Sequence, residues 1–355
     1  MNNNQPTVFF GISRIENCGP ANVLVEILNN KKAEDLNYYL IVFSREQENC
    51  VNMIGALKEQ GFELFFVDSI SAFFEVKKLI AQSESYLLHA HCIRALFYFS
   101  LINRKLTIAT SHNIPTEDWP LEKPGIKGKA IGILHYRMLK SCRDVISISD
   151  KMFSFFNQQG RKILNGVNDE KYELSGEQVE SKIDIVFCGR LIERKNPKKL
   201  IDALSKVDTP LSVTVLGSGD LYQELADEAA TLGSAIEFKG HVSDPEKYYK
   251  SADYYFSSSY TEGMPLSVLE AALCGCNLLL SNIEPHREIT QQLSPSNYTL
   301  FEMGDDITDI LNELTPLQAS SRKENAERAK ALFSSKKMAE QYESYYFATL
   351  METKA

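Results

Sequence analysis

Two acids, Glu262 and Glu270, bracket the seven residues GMPLSVL, and Gly275 follows within about one helical turn. The run ADYYFSSSY before them is apolar and aromatic, as a strand is, and it ends in the loop residues Thr261, Glu262, Gly263 and Pro265. A helix is predicted to begin at about Pro265 or Leu266, where a proline's missing N–H is not needed. Free backbone amides of Gly263, Met264 and Leu266 then face an anion, with phosphate the obvious one. Glu270 lies more than one turn inside the helix and Glu262 just before it, so a ligand longer than phosphate can touch both. A nucleoside diphosphate sugar has that length. On spacing alone a second reading stands beside this one: Glu262 as an acid favoured by the helix dipole, Glu270 as a solvated face residue.

Other chemistry is scattered along the chain. Arg190 and Lys195 follow a strand end at Gly189, and two cations at fixed spacing can neutralise charge building on a departing diphosphate; the alternative for ERKNPKK is a solvated basic turn, as expected for Lys198 and Lys199. Gly217 and Gly219 in LGSGD either let a nucleotide approach or form a plain strand-to-helix turn. His89 and His91 alternate on LLHAH and point to one face, which raises zinc, but no acidic triad or third ligand is adjacent. The seven cysteines are odd in number and sit in apolar surroundings, so they read as reduced thiols; Cys274 and Cys276 are too close to bridge comfortably. No metal is expected.

These residues need a scaffold, and the chain supplies alternating elements. VFFGIS, YYLIVFS, ELFFVDS, SYLLHAH and LTIATSH are apolar strands separated by helical stretches, and the pattern restarts at IDIVFCG and runs through VTVLG, IEFKG, YYFSSS and NLLLSN. Such βα alternation implies parallel sheets covered by helices, with binding loops at the carboxyl ends of the strands. Two such runs suggest two Rossmann-like domains, 1–165 and 166–335, joined within Gly160 to Gly176. With 355 residues, 44% of them apolar, two full cores are within reach. No stretch has the length of a membrane span and MNNNQPTVFFGIS does not read as a signal peptide, so a cytoplasmic protein is expected.

Charge divides unevenly: 19 basic against 16 acidic residues over 1–165, and 19 against 31 over 166–355. Within the first half, Trp119 to Arg143 holds six basic residues and one acid among Ile126, Ile131, Ile133, Leu134 and other apolar side chains. That composition suits either a patch that docks on the inner leaflet of a membrane or an ordinary helix packed on the sheet. A net charge of −9 without a basic stripe argues against nucleic acid. A nicotinamide enzyme is disfavoured because no G-x-G-x-x-G follows the first strand.

YTEGMPLSVLEAALCGCNLLLSNIEPHREI resembles the donor-site signature of the retaining glycosyltransferases of family 4, which have the GT-B fold. VFCGRLIERKNPKKLIDAL, VTVLGSGDLYQEL and the interdomain ILNGVN are similar to further family segments, so the likeness covers most of 163–290. It implies an α/β GT-B protein, two Rossmann-like domains facing each other across a cleft, the N-terminal one for the acceptor and the C-terminal one for the donor. The last helix, 336–355, would cross back to the first domain. It gives Arg190 and Lys195 the diphosphate, Glu262 the donor sugar and Glu270 the ribose hydroxyls, with Gly189 and the Gly263 to Leu266 backbone lining the sugar and phosphates. It sets His241 and Val242 beside the nucleobase, Gly19 near a phosphate or acceptor group, His91 near the donor sugar as a catalytic or positional residue, and His112 and Asn113 in the acceptor cleft. One departure is IEPHREI, where many relatives have a glycine-rich turn: a bulkier loop restricts the donor sugar, or is a local variation without effect.

The resemblance further implies transfer with retention by front-face attack, no metal or cofactor, and a lipid-linked or oligosaccharide acceptor in bacterial surface-polysaccharide synthesis. A nucleotide-sugar epimerase of the same fold and a non-catalytic nucleotide-sugar-binding partner remain as alternatives.

Overall fold

The structure, a computed structural model, describes residues 5–46, 51–174, 183–232 and 236–354. It divides into two compact units, one of Met1–Gly166 with Ser335–Ala355 and one of Val167–Ser334. Gly176, at the far end of the expected junction, lies outside the described residues.

The first unit holds strands β1 (Thr7–Ile12), β2 (Asn37–Val42), β3 (Glu63–Phe66), β4 (Tyr86–Ala90), β5 (Thr107–Ser111), β6 (Asp144–Ser147) and β7 (Arg161–Lys162). They pair in the order β3-β2-β1-β4-β5-β6-β7, and each pairing is parallel. Every residue of β1 is buried, which is why TVFFGI reads as a continuous apolar run: helices cover both faces of a parallel sheet. Those helices are α1 (Gly19–Asn29), α2 (Val51–Glu59), α3 (Ile70–Ala81), α4 (Ile93–Asn103), α5 (Pro115–Glu122), α6 (Ile126–Ser141) and α7 (Asp150–Phe155).

The second unit repeats the plan. Strands β8 (Ile183–Cys188), β9 (Leu211–Leu216), β10 (Ile236–Gly240), β11 (Tyr254–Ser257), β12 (Asn277–Ser281) and β13 (Tyr298–Phe301) pair in the order β10-β9-β8-β11-β12-β13. Helices α8 (Lys198–Leu204), α9 (Tyr222–Thr231), α10 (Glu246–Ser251), α11 (Leu266–Leu273), α12 (Glu284–Thr290), α13 (Thr308–Asn312) and α14 (Ala319–Phe333) surround them. In each sheet the order reverses once, between β1 and β4 and between β8 and β11. Ligands of open α/β sheets bind at the carboxyl ends of strands flanking such a reversal.

The last helix, α15 (Ser335–Lys354), belongs to the first unit. Tyr342 and Tyr346 are fully buried, Tyr345 nearly so, and Phe347 is half-buried. The Glu343 carboxylate accepts the backbone amides of Lys32 and Ala33 and the Tyr38 hydroxyl, which fastens α15 to the chain after α1.

Candidate active site

The reversal between β8 and β11 brings residues 190–196 against 258–262. Residues 193–195 make one tight turn, which ends at Asn196 in the left-handed region (φ 47°, ψ 49°), and the backbone amide of Tyr260 donates to the carbonyl of Arg194 at 2.9 Å. The Ser258 hydroxyl adds a bond to the Asn196 carbonyl at 2.6 Å. Across this seam Lys195 Nζ lies 2.5 Å from Glu262 Oε1, Arg194 Nη1 lies 3.4 Å from Oε2, and Ser259 Oγ donates to Oε1 at 2.7 Å. The Glu262 side chain is 7% exposed and the two cations 15% and 14%. Burial pushes its carboxyl up, but Lys195, Arg194 and the hydrogen bonds outweigh burial and hold it at about 2. Glu262 is therefore a fixed anion, not a loose acid at a helix start. Arg194, which anchors itself on the Thr261 carbonyl at 2.9 Å, was not singled out from the sequence.

Helix α11 begins at Leu266 with Pro265 as its cap residue, and no side chain caps the first turn. Gly263, Met264 and Pro265 are buried and Leu266 is half-buried. The helix ends as Gly275 predicts: Gly275 has φ 81°, its amide bonds to the Ala272 carbonyl, and the Cys276 amide reaches back to Ala271. Glu270 lies on the same helix and is half-buried, so it is no solvated face residue. Tyr249 donates to its Oε2 at 3.3 Å, and the Tyr172 hydroxyl is near enough to act on the carboxylate electrostatically. Burial raises the Glu270 carboxyl to about 7 against the pull of both hydroxyls and Lys171, with Glu246 adding to the rise. The two acids thus have opposite characters, one permanently ionised and one that titrates near neutrality. Neither tyrosine could be found by spacing, since each comes from a different segment.

Arg190 is exposed at the end of β8, beside Gly189. Gly217 and Gly219 owe their residue type to the backbone of that neighbouring segment. A side-chain carbon at Gly217 (φ 130°) would lie 1.9 Å from the Gly189 carbonyl, and one at Gly219 (φ 157°) 2.4 Å from that of Leu191. Their missing side chains are thus explained by chain-to-chain contact. The Gly217 amide also donates to the Gly240 carbonyl at 2.7 Å, which sets exposed His241 and half-buried Val242 beside the same turn.

IEPHREI is not a bulky loop. Glu284 to Thr290 is helix α12, started by Pro285 in its first turn, and His286 is fully buried. Its Nδ1 donates to the Ser281 carbonyl at 2.8 Å, and Ser281 Oγ in turn donates to the Ser259 carbonyl at 2.7 Å. His286 is thus packed behind the Glu262 loop.

In the first unit His89 spends both ring nitrogens on hydroxyls, Tyr346 at 2.7 Å and Thr110 at 2.8 Å, and has no lone pair left for zinc. Burial lowers it to about 3, so it is neutral. His91, also buried, places Nδ1 3.2 Å from Nε2 of His112, and its own Nε2 has no hydrogen-bond partner. Asn113 donates to Asp118 at 3.0 Å. Gly19 is the first residue of α1, not part of a loop before it; it is exposed, and a side-chain carbon there would meet nothing. Among the described residues no group of three or more His, Cys, Asp or Glu side chains is placed to hold a metal ion.

Residues 169–331 match the family described as Glycosyl transferases group 1. The chain is 26% identical over 154 residues to the capsular polysaccharide biosynthesis glycosyltransferase CapH of Staphylococcus aureus, covering 41% of this chain and 42% of that protein. It is 25% identical over 273 residues to the O-antigen biosynthesis glycosyltransferase WbnH of Escherichia coli, covering 75% and 78%. Against an alpha-1,4-N-acetyl-D-galactosaminyltransferase of Campylobacter jejuni the match spans 37% of the relative's length, so it and CapH are each matched over less than half. Among solved structures, HepE of Anabaena in complex with UDP and glucose superposes with a TM-score of 0.79 at 17% identity, over 96% of this chain and 99% of that one. Sucrose-phosphate synthase of Thermosynechococcus elongatus gives 0.77 at 16%, over 98% and 100%. The fold is therefore GT-B, built of two Rossmann-like domains.

Proposed function

We propose that this chain is a glycosyltransferase of family 4 that moves a sugar, with retention, from a nucleoside diphosphate sugar to a lipid-linked or oligosaccharide acceptor in the synthesis of a bacterial surface polysaccharide. The observation that carries the reading is the buried Lys195–Glu262–Arg194 cluster at the start of an uncapped helix, with Glu270 on that same helix. CapH and WbnH, named for capsule and O-antigen biosynthesis, support the pathway class.

In this reading the leaving diphosphate lies over the start of α11 and meets Lys195 and Arg190. An ammonium has three donors, so Lys195 can hold Glu262 with one and receive phosphate charge with the others. That charge is met by side chains, and no metal is called for. Glu262 suits a sugar's hydroxyls, because a fixed anion offers acceptors only. It suits nucleophilic attack poorly: Oε1 already takes two hydrogen bonds, Oε2 faces Arg194, and the carboxylate is a weak base at about 2. Retention then proceeds without a covalent sugar–enzyme intermediate, the departing phosphate taking the acceptor's proton. Glu270, with its two tyrosines, takes the ribose hydroxyls.

The test is incubation with UDP-, GDP-, dTDP- and ADP-sugars, with and without membrane lipid extract, beside a Glu262→Ala control. Extract-dependent release of one nucleotide, lost in the control and unaffected by a chelator, is expected, with product NMR showing the donor's anomeric configuration. Tight nucleotide binding without release from any donor would favour the non-catalytic partner instead.

A further inference from the structure

The first half of helix α6 is packed the wrong way round for a core helix. The buried residues of the whole helix are Gly128, Gly132 and Leu139. A side-chain carbon at Gly128 would lie 2.0 Å from the Lys123 carbonyl, and one at Gly132 2.7 Å from that of Pro115, so the glycine side presses backbone to backbone on α5 and the turn after it. Later along the helix Leu139, with Tyr136 and Met138, joins the core of the first unit, but the large apolar side chains nearer its start are on the other side: Ile126 is 87% exposed, Leu134 56% and Ile133 48%, and Leu121 at the end of α5 is 54% exposed. A surface helix of a globular protein ordinarily turns such residues inward. Four apolar side chains left together in water mark a surface that something else covers.

Charge says what covers it. Lys123, Lys127, Lys129, Arg137 and Lys140 are all exposed on these same two helices and the turn between them. Residues 119–143 contain one acid, Glu122, and the two acids of the first turn of α5 are already engaged, Glu117 by Lys151 at 2.5 Å and Asp118 by the Asn113 amide at 3.0 Å. A second copy of the chain meeting this face about a two-fold axis would bring like charges together. A bilayer with anionic headgroups satisfies both halves of the surface, since it accepts apolar side chains at the headgroup boundary while phosphates meet the lysines.

We propose that the outer face of α5 and α6 docks this protein on an anionic phospholipid surface, Ile126, Ile133 and Leu134 entering the interface and Lys127 and Lys129 meeting lipid phosphates. No helix is long and apolar enough to cross a membrane among the described residues, so the contact is one of a protein lying on the surface. The proposal deepens the lipid-linked-acceptor reading and rests on it for its purpose, because an acceptor anchored in a bilayer must be met there; its chemistry stands on the surface alone.

The experiment is co-sedimentation of the full chain with vesicles of phosphatidylcholine alone and with a third of phosphatidylglycerol, at low and high salt. Binding is expected only to the anionic vesicles and is expected to weaken with salt. Ile126→Ser with Leu134→Ser should lower partitioning at least tenfold, and Lys127→Gln with Lys129→Gln by about fivefold per lysine removed. Melting temperatures should be unchanged, because the substituted side chains are exposed. Phe97→Ser with Leu101→Ser, on the exposed side of α4, is the control and should bind as wild type. Absence of binding to anionic vesicles, full binding by the Ile126/Leu134 variant, or loss only in the α4 control would each overturn the proposal. So would a wild-type dimer that the Ile126/Leu134 variant breaks. Donor-nucleotide release with a water-soluble acceptor should be the same in all variants, so failure of the docking and failure of the transferase reading give different results.

Discussion

Replacing Glu262 with Gln keeps the shape of the side chain and removes its charge. The carboxyl is held at about 2 instead of its ordinary 4.5, and each tenfold in proton affinity corresponds to about 1.4 kcal/mol, so the ionised form contributes about 3 kcal/mol to the folded state at neutral pH. The side chain is 7% exposed, so solvent screening removes little of this. The variant also leaves Lys195 and Arg194 facing each other without their shared anion, a loss of the size seen when one partner of a buried pair is removed, roughly 3–5 kcal/mol. A folded pKa below the unfolded one gives stability that is present above pH 4.5 and lost as the pH falls toward 2. Urea unfolding of wild type and Glu262→Gln at pH 7 should therefore differ by about 3 kcal/mol or more, and the difference should shrink by about 1.4 kcal/mol at pH 3.5. A difference under about 1 kcal/mol at pH 7, or one that stays constant down to pH 3.5, would refute the account of the Lys195–Glu262–Arg194 cluster.

Arg194→Met removes the tie to Thr261 and Glu262 and should lower kcat more than it raises KM, with Arg194→Lys recovering part of the loss; equal stability and activity in the Met variant would show that Lys195 suffices. Glu270, raised to about 7, should make nucleotide affinity fall about tenfold for each pH unit below 7, and titration calorimetry on Glu270→Gln should show a flat profile. The sign for stability is opposite: its protonated form favours the fold, an effect complete below pH 4.5 and lost as the pH rises through 7. Gly217→Ala should cost about 2 kcal/mol or more, because the new carbon meets the Gly189 carbonyl and the backbone has positive φ, whereas Gly19→Ala, with nothing near it in a first helical turn, should shift stability by about 1 kcal/mol at most; thermal melts of the pair check this.

What the chain discloses about itself depends on how local each cause is. Parallel strands buried on both faces must be apolar along their whole length, so VFFGIS and IDIVFCG declare themselves, and helix ends such as Gly275 do so through backbone geometry. The spacing of Glu262 and Glu270 along one loop and helix is equally local. Arg194 is hidden because ERKNPKK offers several cations at once, and only the left-handed turn at Asn196 and the strand beside it decide that Arg194 and Lys195 turn toward Glu262 while Lys198 turns to Glu228. Tyr172 and Tyr249 are hidden for the same reason, since tertiary structure brings them to Glu270. His286 was within reach, because Pro285 is a helix-start signal that makes a bulky loop the weaker reading of IEPHREI.

Glycine shows both sides of this rule. At Gly217 and Gly219 the residue type is legible but its cause is not, because close approach to a ligand and close approach to another strand leave the same mark in a sequence. At Gly128 and Gly132 the four-residue spacing on α6 carries more than composition does. It puts both residues on one side of the helix, where α5 can lie against them, and so requires Ile126, Ile133 and Leu134 to face elsewhere. Composition leaves core helix and surface anchor equally open for 119–143; the structure gives the later part of α6 to the core through Leu139 and leaves Ile126, Ile133 and Leu134 exposed, since a helix that lies on its neighbour by its glycines cannot also bury its isoleucines there.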